Sequence, residues 1–369
     1  MIIRDIQTIP IRVPILDEGC ATSRIAMTYS DTVIVKVIGE DGTYGVGEAC
    51  ARPMIYGDTL KGVVSILQDE IKPKLIGEDS LSTLKLRAKL QSIKANYCAK
   101  AAVDVALHDL NGKQLGLPLC AVLGGPVRES VRLSWTMSGS NANWDSQQEE
   151  VRRKLEQGFR SFKFKLAAGV QRDIEFIKLM RSIVTPDTHI YADANGYYTR
   201  NDAYTFMKSL EGVIDAVEEP LSIFDNPGRK ELAERVNVSI LIDESAFTPE
   251  EVYRQIRLGA VGWVGIKVAR TGVIGSLHIA YMAEAACLPA QICTQVETDI
   301  GAAAAVQVAA SQRSINLPCE LAFYSDNYPV HFLKTPLRIK DGAMEVPMRP
   351  GIGADVDWDL VEQYRRPLD

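Results

Sequence analysis

Five short apolar runs in the middle of the chain each close on charge: Phe162-Lys163-Phe164-Lys165, His189-Ile190-Tyr191-Ala192-Asp193, Ala216-Val217-Glu218-Glu219, Ile240-Leu241-Ile242-Asp243 and Trp263-Val264-Gly265-Ile266-Lys267. Their ends recur every 24 to 28 residues, the length of one strand, one helix and two short loops. Each gap therefore predicts one βα unit. Val131 to Met137 reads as the strand before this series, Glu149 to Gln157 as its helix, and Cys293 and Ile315 to Glu320 continue the alternation to a count of eight. Parallel strands closed into a barrel bring their C-terminal ends to one rim, where reactive groups gather.

The first third has a different rhythm. Ile2 to Ile9 alternates as a strand, and Thr32 to Ile38 with Thr43 to Ala49 reads as a hairpin through Asp41-Gly42, a pair that supplies the positive φ such turns need. Leu60, Val64, Leu67 and Ile71 follow helical spacing after Asp58, a predicted cap. Asn96 to Leu110 is an alanine-rich helix stopped by Gly116 and Pro118, with Lys100, Asp104 and Asp109 predicted as its solvent face. Leu123-Gly124-Gly125-Pro126 breaks the pattern and marks a boundary. The expected architecture is α/β: a (β/α)8-type barrel over 126–321, an α+β domain over 1–125, and a segment over 322–369 that returns to the first domain.

Composition narrows the function by exclusion. The 369 residues are 46% hydrophobic and 24% charged, with a net charge of −6, which argues against a nucleic-acid partner. The 7 cysteines show no Cys-x-x-Cys spacing and the 4 histidines form no close pair, so zinc chemistry and a disulfide framework are not expected. No signal-peptide pattern opens the chain, and the apolar stretch at Gly301 to Ala310 is interrupted by Gln307, short of the roughly 18 residues a spanning helix needs. A soluble, cytoplasmic protein without a membrane partner is the expectation.

The charged strand ends remain to be explained. Lys163 and Lys165 share one strand face; alone, such a pair would suit a protected sheet edge. Asp193, Glu219 and Asp243 change that reading, because three carboxylates on successive strands call for a hard cation bound through oxygen, such as Mg²⁺. Glu218 and Glu244 are expected to point away from the site or toward the groups that surround its ligands, as structural residues. Glu297 and Glu320, near the seventh and eighth strands, are candidates for orienting a lysine or the substrate.

Taken together, Lys163-x-Lys165, Asp193-Ala194-Asn195, Glu219-Pro220, Asp243-Glu244-Ser245, Lys267 and Glu297-Thr298-x-Ile300-Gly301 resemble the enolase superfamily, in its muconate-lactonising-enzyme branch. The resemblance implies a capping domain on a modified (β/α) barrel, Mg²⁺ (or Mn²⁺ in its place) on Asp193, Glu219 and Asp243, Lys165 as a proton-abstracting base, Lys163 as its electrostatic neighbour and Lys267 as a second base or cation. It further implies a homo-oligomer acting on a small carboxylate. A muconate cycloisomerase is the nearest match; racemisation of an amino-acid derivative, dehydration of a hydroxy acid, or a silent binding protein on the same fold are the alternatives. The mandelate-racemase branch would place a histidine near the seventh strand, and none lies near Cys293. Specificity is expected from the loops Asp17 to Ile25 and Cys50 to Thr59, with Arg24, Arg52 and Tyr56 as substrate contacts.

Overall fold

The structure is a computed structural model describing residues 1–16 and 27–368. It opens with an antiparallel sheet of β1 (Ile3–Pro14), β2 (Tyr29–Gly39) and β3 (Tyr44–Cys50), in that order. The hairpin forms as expected, with Ile38 opposite Tyr44 and Thr32 opposite Cys50. β1 runs past the predicted stop at Ile9, because Pro10 to Pro14 go on pairing with Val33 to Tyr29. Thr59, rather than Asp58, caps the helix that follows; the Asp58 carboxylate accepts from Cys98 Sγ instead.

The Tyr97–Leu115 helix ends on Gly116 in the left-handed conformation. Small residues let it lie directly on β3: a Cβ at Gly47 would come within 2.0 Å of the Ala102 carbonyl oxygen. The expected solvent face does not exist. Lys100, Asp104 and Asp109 are 7, 6 and 0% exposed, since the helix packs between the sheet and the barrel helix Val268–Ala285. Their charges are spent on struts. Asp109 accepts from the backbone N–H of Val46 and of Ile352, each at 2.8 Å, and pairs with Lys113 at 2.7 Å.

The barrel is a parallel sheet of seven strands in sequential order: β5 (Trp135–Met137), β6 (Ser161–Lys165), β7 (His189–Asp193), β8 (Ala216–Glu218), β9 (Ser239–Ile242), β10 (Trp263–Ile266) and β11 (Ala290–Ile292). The single strand expected over Val131 to Met137 is broken, and its first part, β4 (Ser130–Arg132), leaves to join the hairpin of β12 (Ile339–Lys340) and β13 (Ala343–Glu345). The eighth position is held by 315–320, which makes only single bridges, Ile315 to Ala290 and Cys319 to Leu133. Backbone hydrogen bonds from Cys319 to Arg132 and from Glu320 to Ile292 close the ring there. The fold is a modified (β/α)8 barrel under an N-terminal α+β cap. The chain end returns to the first sheet, with Arg12 N–H donating to the Tyr364 carbonyl and Arg366 N–H to that of Pro10.

Alternation sorts the barrel strands into two faces. Ile190, Ala192, Val217, Ile240 and Ile242 join the large core under the helices. Tyr191, Ala216, Leu241 and Trp263 form a separate inner layer with Leu317. Further along the strands stands the layer that faces the cap.

Asp109→Ala should cost about 2–4 kcal/mol of folding stability, because it leaves two buried N–H groups unpaired. Urea unfolding measures this directly; a loss below about 0.5 kcal/mol would make Asp109 a bystander.

Candidate active site

Two residues beyond Tyr191, Ala216 and Leu241 stand Asp193, Glu218 and Asp243, and Lys165 and Lys267 at the ends of β6 and β10 join them on the inward side. Lys165 pairs in register with Asp193, and Asp193 with Glu218. Lys165 Nζ lies 2.6 Å from Asp193 Oδ2 and 3.5 Å from Asn195 Oδ1. Lys163 Nζ lies 2.7 Å from Glu218, and 3.2 Å from both Asp193 and Glu320. On the far side Lys267 Nζ approaches Asp243 Oδ2 at 2.5 Å, and Arg270 Nη1 holds the other Asp243 oxygen at 2.9 Å.

Glu218 stands where Glu219 was expected. β8 ends at Glu218, and Glu219 lies beyond it with φ of +40°, so the chain has turned and the carboxylate leaves the barrel axis. Glu219 is consumed by the protein: it accepts from Arg229 Nη2, from the N–H of Asp243 and Ser245, and from Ser245 Oγ. Oxygens of Glu218, Asp243 and Glu244 lie within 4.8 Å of one another. Glu218 Oε2 meets Lys163 Nζ, while Glu218 Oε1 and Glu244 Oε2 have no hydrogen-bond partner among the described residues. Glu244 Oε1 accepts from Asn195 Nδ2 at 2.9 Å. Both glutamates are structural in the sequence reading; the apolar Val217 was the signal, since it sets Glu218 in phase with Asp193 and Asp243.

Electrostatics follow from this crowding. Burial opposes charge on Lys163 and Lys267, yet Glu218, Glu320 and Asp193 around the first and Asp243 beside the second hold both ammonium groups well above their usual range. Burial would also raise Asp193, but Lys165 and Lys163 outweigh it and keep the carboxyl below its ordinary value. Glu218 is pushed well up by burial and by Asp193, and Glu244 to about 8 by burial and by Asp243. The cluster carries more negative charge than its lysines neutralise.

Glu320 lines the cavity and orients Lys163; it also accepts from Tyr191 Oη at 2.9 Å and Gln291 Nε2 at 3.2 Å. Neither of these partners was anticipated. Glu297 does not reach the cavity. It accepts from Thr294 Oγ1 and from the N–H of Gln295, closing its own loop around Val296 at φ of +64°. Arg52 does line the cavity, but its donors are committed to the protein: it is 2% exposed and donates to the carbonyls of Gln295, Asp31, Ala51 and Val296 and to Ser30 Oγ. Every N–H of its guanidinium has an acceptor, so it joins cap to barrel. Tyr56 also lines the cavity, and its buried hydroxyl has no hydrogen-bond partner among the described residues. Arg24 and the whole Asp17 to Ile25 loop lie outside the described residues. The cavity itself is about 60 Å³, walled by the lysines and carboxylates below and by Met27, Ile55, Tyr56, Val296 and Phe323 above.

Buried lysines interleaved with carboxylates at the strand ends of a capped parallel barrel define a metal-dependent isomerase of the enolase superfamily. The chain belongs to the mandelate racemase/muconate lactonizing enzyme family: residues 7–124 match its N-terminal domain and residues 146–360 the enolase C-terminal domain-like unit. It is 30% identical to a chloromuconate cycloisomerase of Cupriavidus necator, over 92% of each chain. It is 27% identical to an N-succinyl-L-Arg/Lys racemase of Bacillus cereus, over 91% of each. A muconate lactonizing enzyme from Pseudomonas fluorescens, solved with muconolactone, superposes with a TM-score of 0.93 at 25% identity over 99% of both chains. Among the described residues no helix is long and apolar enough to cross a membrane.

Arg52→Met should lower stability by about 2–4 kcal/mol, because it leaves buried carbonyls without donors. Relative kcat/KM across a panel of acids should stay within about twofold in the folded fraction. A changed preference between acidic and neutral substrates would return Arg52 to the substrate site.

Proposed function

We propose that this enzyme is a Mg²⁺-dependent isomerase that removes or returns the proton α to the carboxylate of a small acid, with the interconversion of a muconate-like diacid and its lactone, whose α proton is exchanged, as the overall reaction. One observation carries the reading: two lysines, the partly buried Lys165 and the buried Lys267, flank a carboxylate cluster from opposite sides of one cavity, at 2.6 and 2.5 Å from Asp193 and Asp243.

The donor set suits Mg²⁺. Asp193, Glu218 and Asp243 are hard oxygen donors at the ends of three successive strands, Glu218 Oε1 has no partner among the described residues, and Glu244 adds charge beside them. When bound, the cation supplies positive charge to the substrate carboxylate, where negative charge builds as the α proton leaves. The remaining work belongs to the chain. Lys165, oriented by Asp193 and Asn195, receives the proton. Lys163, anchored by Glu320, supplies a fixed positive charge next to it. Lys267 faces the substrate's other side, and Ile55, Val296 and Phe323 keep water from the exchanging position.

The second reading is racemisation of an amino-acid derivative. It is favoured by Lys267 sharing the cavity with Lys165, since a second base could return the proton to the opposite face, and by the similarity to an N-succinyl-L-Arg/Lys racemase.

Glu218→Ala should abolish Mg²⁺ binding in calorimetry. Glu219→Ala should keep binding measurable while lowering the melting temperature, as expected for a structural acceptor. The reverse pattern would overturn the ligand assignment.

Exchange in D₂O separates the two reactions. Under cycloisomerisation, Lys165→Ala should slow α-proton exchange by about 10²–10⁴-fold, while Lys267→Ala keeps exchange and turns over slowly. If each variant instead retains exchange with one enantiomer, the enzyme is a racemase. Wild-type protein that exchanges no carboxylate in its Mg²⁺ form would defeat both readings.

A further inference from the structure

Asp104 belongs to the capping domain, and nothing in the reaction just described touches it. Its place is nonetheless specific. Lys267 opens the Val268–Ala285 helix, whose first turn carries Arg270 and is tied back on the Lys267 carbonyl by the N–H of Arg270 and of Thr271 and by Thr271 Oγ1. The helix then breaks at Gly272, with φ of 67° and ψ of −173°. A second helical segment starts at Val273, and the break exposes its first N–H groups as a new helix start would. Asp104 Oδ2 crosses from the cap to accept both, from Val273 at 2.6 Å and from Ile274 at 3.2 Å. The fit is close: a Cβ at Gly272 would sit 2.5 Å from that oxygen. A carboxylate at a helix N-terminus is favoured both by hydrogen bonding and by the helix dipole.

The isolated turn 268–271 is therefore held at two points. Behind it, Thr271 Oγ1 meets Ser276 Oγ, which donates to the Gly272 carbonyl; ahead of it, Lys267 and Arg270 grip the two oxygens of Asp243. The second segment, which anchors the turn from behind, is itself seated by Asp104. We infer that Asp104 is a positioning residue: the capping domain sets the placement of Lys267 and Arg270 through the Gly272 break, and so links cap seating to one side of the active site. This rests on the reading of Lys267 as a working group of the cavity.

A mutant cycle tests it. Asp104→Ala should lower kcat by roughly tenfold to a hundredfold, the scale of a misplaced group, with KM little changed, and Asp104→Asn, which keeps one acceptor oxygen, should restore most of it. In a Lys267→Ala background Asp104→Ala should cause no further loss, whereas proton exchange by Lys165 should survive. Equal added losses in both backgrounds would mean general destabilisation and overturn the inference. If Asp104→Ala does not fold, Gly272→Ala, whose Cβ would sit 2.5 Å from Asp104 Oδ2, displaces the same turn and enters the cycle in its place. A crystal structure of the folded variant is independent of activity: a turn at 267–272 and a Lys267–Asp243 contact that are unmoved would also overturn it. Failure of the functional reading would look different, as absent exchange in the wild type itself.

Discussion

Charge inside the barrel has no water to solvate it, and the site is arranged around that constraint. Bringing an ammonium or carboxylate out of water costs several kcal/mol per ion even after relaxation, and only close, well-oriented partners offset it. Lys163 meets this by sitting among Glu218, Asp193 and Glu320 at once, and Lys267 by a single tight pair to Asp243 that Arg270 shares. On β7 to β10 the inward face accordingly carries an apolar residue first and ends with an ion. Below, Tyr191, Ala216, Leu241 and Trp263 fill the axis; above, the charges lean on one another. The same crowding leaves Glu218 and Glu244 with too much negative charge for the lysines present, the electrostatic condition under which a divalent cation binds.

The cap depends on a related economy of buried polar groups. Its carboxylates reach across the domain seam to backbone N–H groups that nothing else would satisfy. Glu48 accepts from Thr298 and Gly301 at the start of the Asp299–Ser311 helix, and Asp104 from Val273 and Ile274 after the Gly272 break. Arg52 works in the opposite sense, donating to the carbonyls of Gln295 and Val296 in the loop after β11. These contacts meet the barrel just where its strands hand over to the cavity rim. A cap that shifted would disturb Lys267 and the Val296 wall before it disturbed the core, because those elements hang on single hydrogen-bonded links, whereas the barrel is held by packing along its whole length.

Much of this was legible in the sequence. Apolar runs of strand length, ending on ions at near-regular intervals, demand buried strands with a common reactive rim; no solvent-facing arrangement makes use of that pattern. Lys163, Lys165, Asp193, Asp243 and Lys267 came from it directly, and the structure brings all five to one cavity. The information for Glu218 was present as well: Val217 is as apolar as Ile190 and Ile240, and a two-residue period then turns Glu218, not Glu219, inward. Strand alternation is a local property and survives in a single sequence.

Only the tertiary structure could decide which charged residues serve the fold. Arg52 and Glu219 carry the residue types a binding site needs, yet every donor of the one has an acceptor in the protein, and the other is enclosed by Arg229, Ser245 and the backbone of Asp243. Lys100, Asp104 and Asp109 have the helical spacing of a solvated face, and are buried because a barrel helix covers them. Their partners lie far along the chain, Gln295 from Arg52 by 243 positions and Val273 from Asp104 by 169. Periodicity records which side of an element a residue occupies; what is packed against that side is set by contacts that no local pattern encodes.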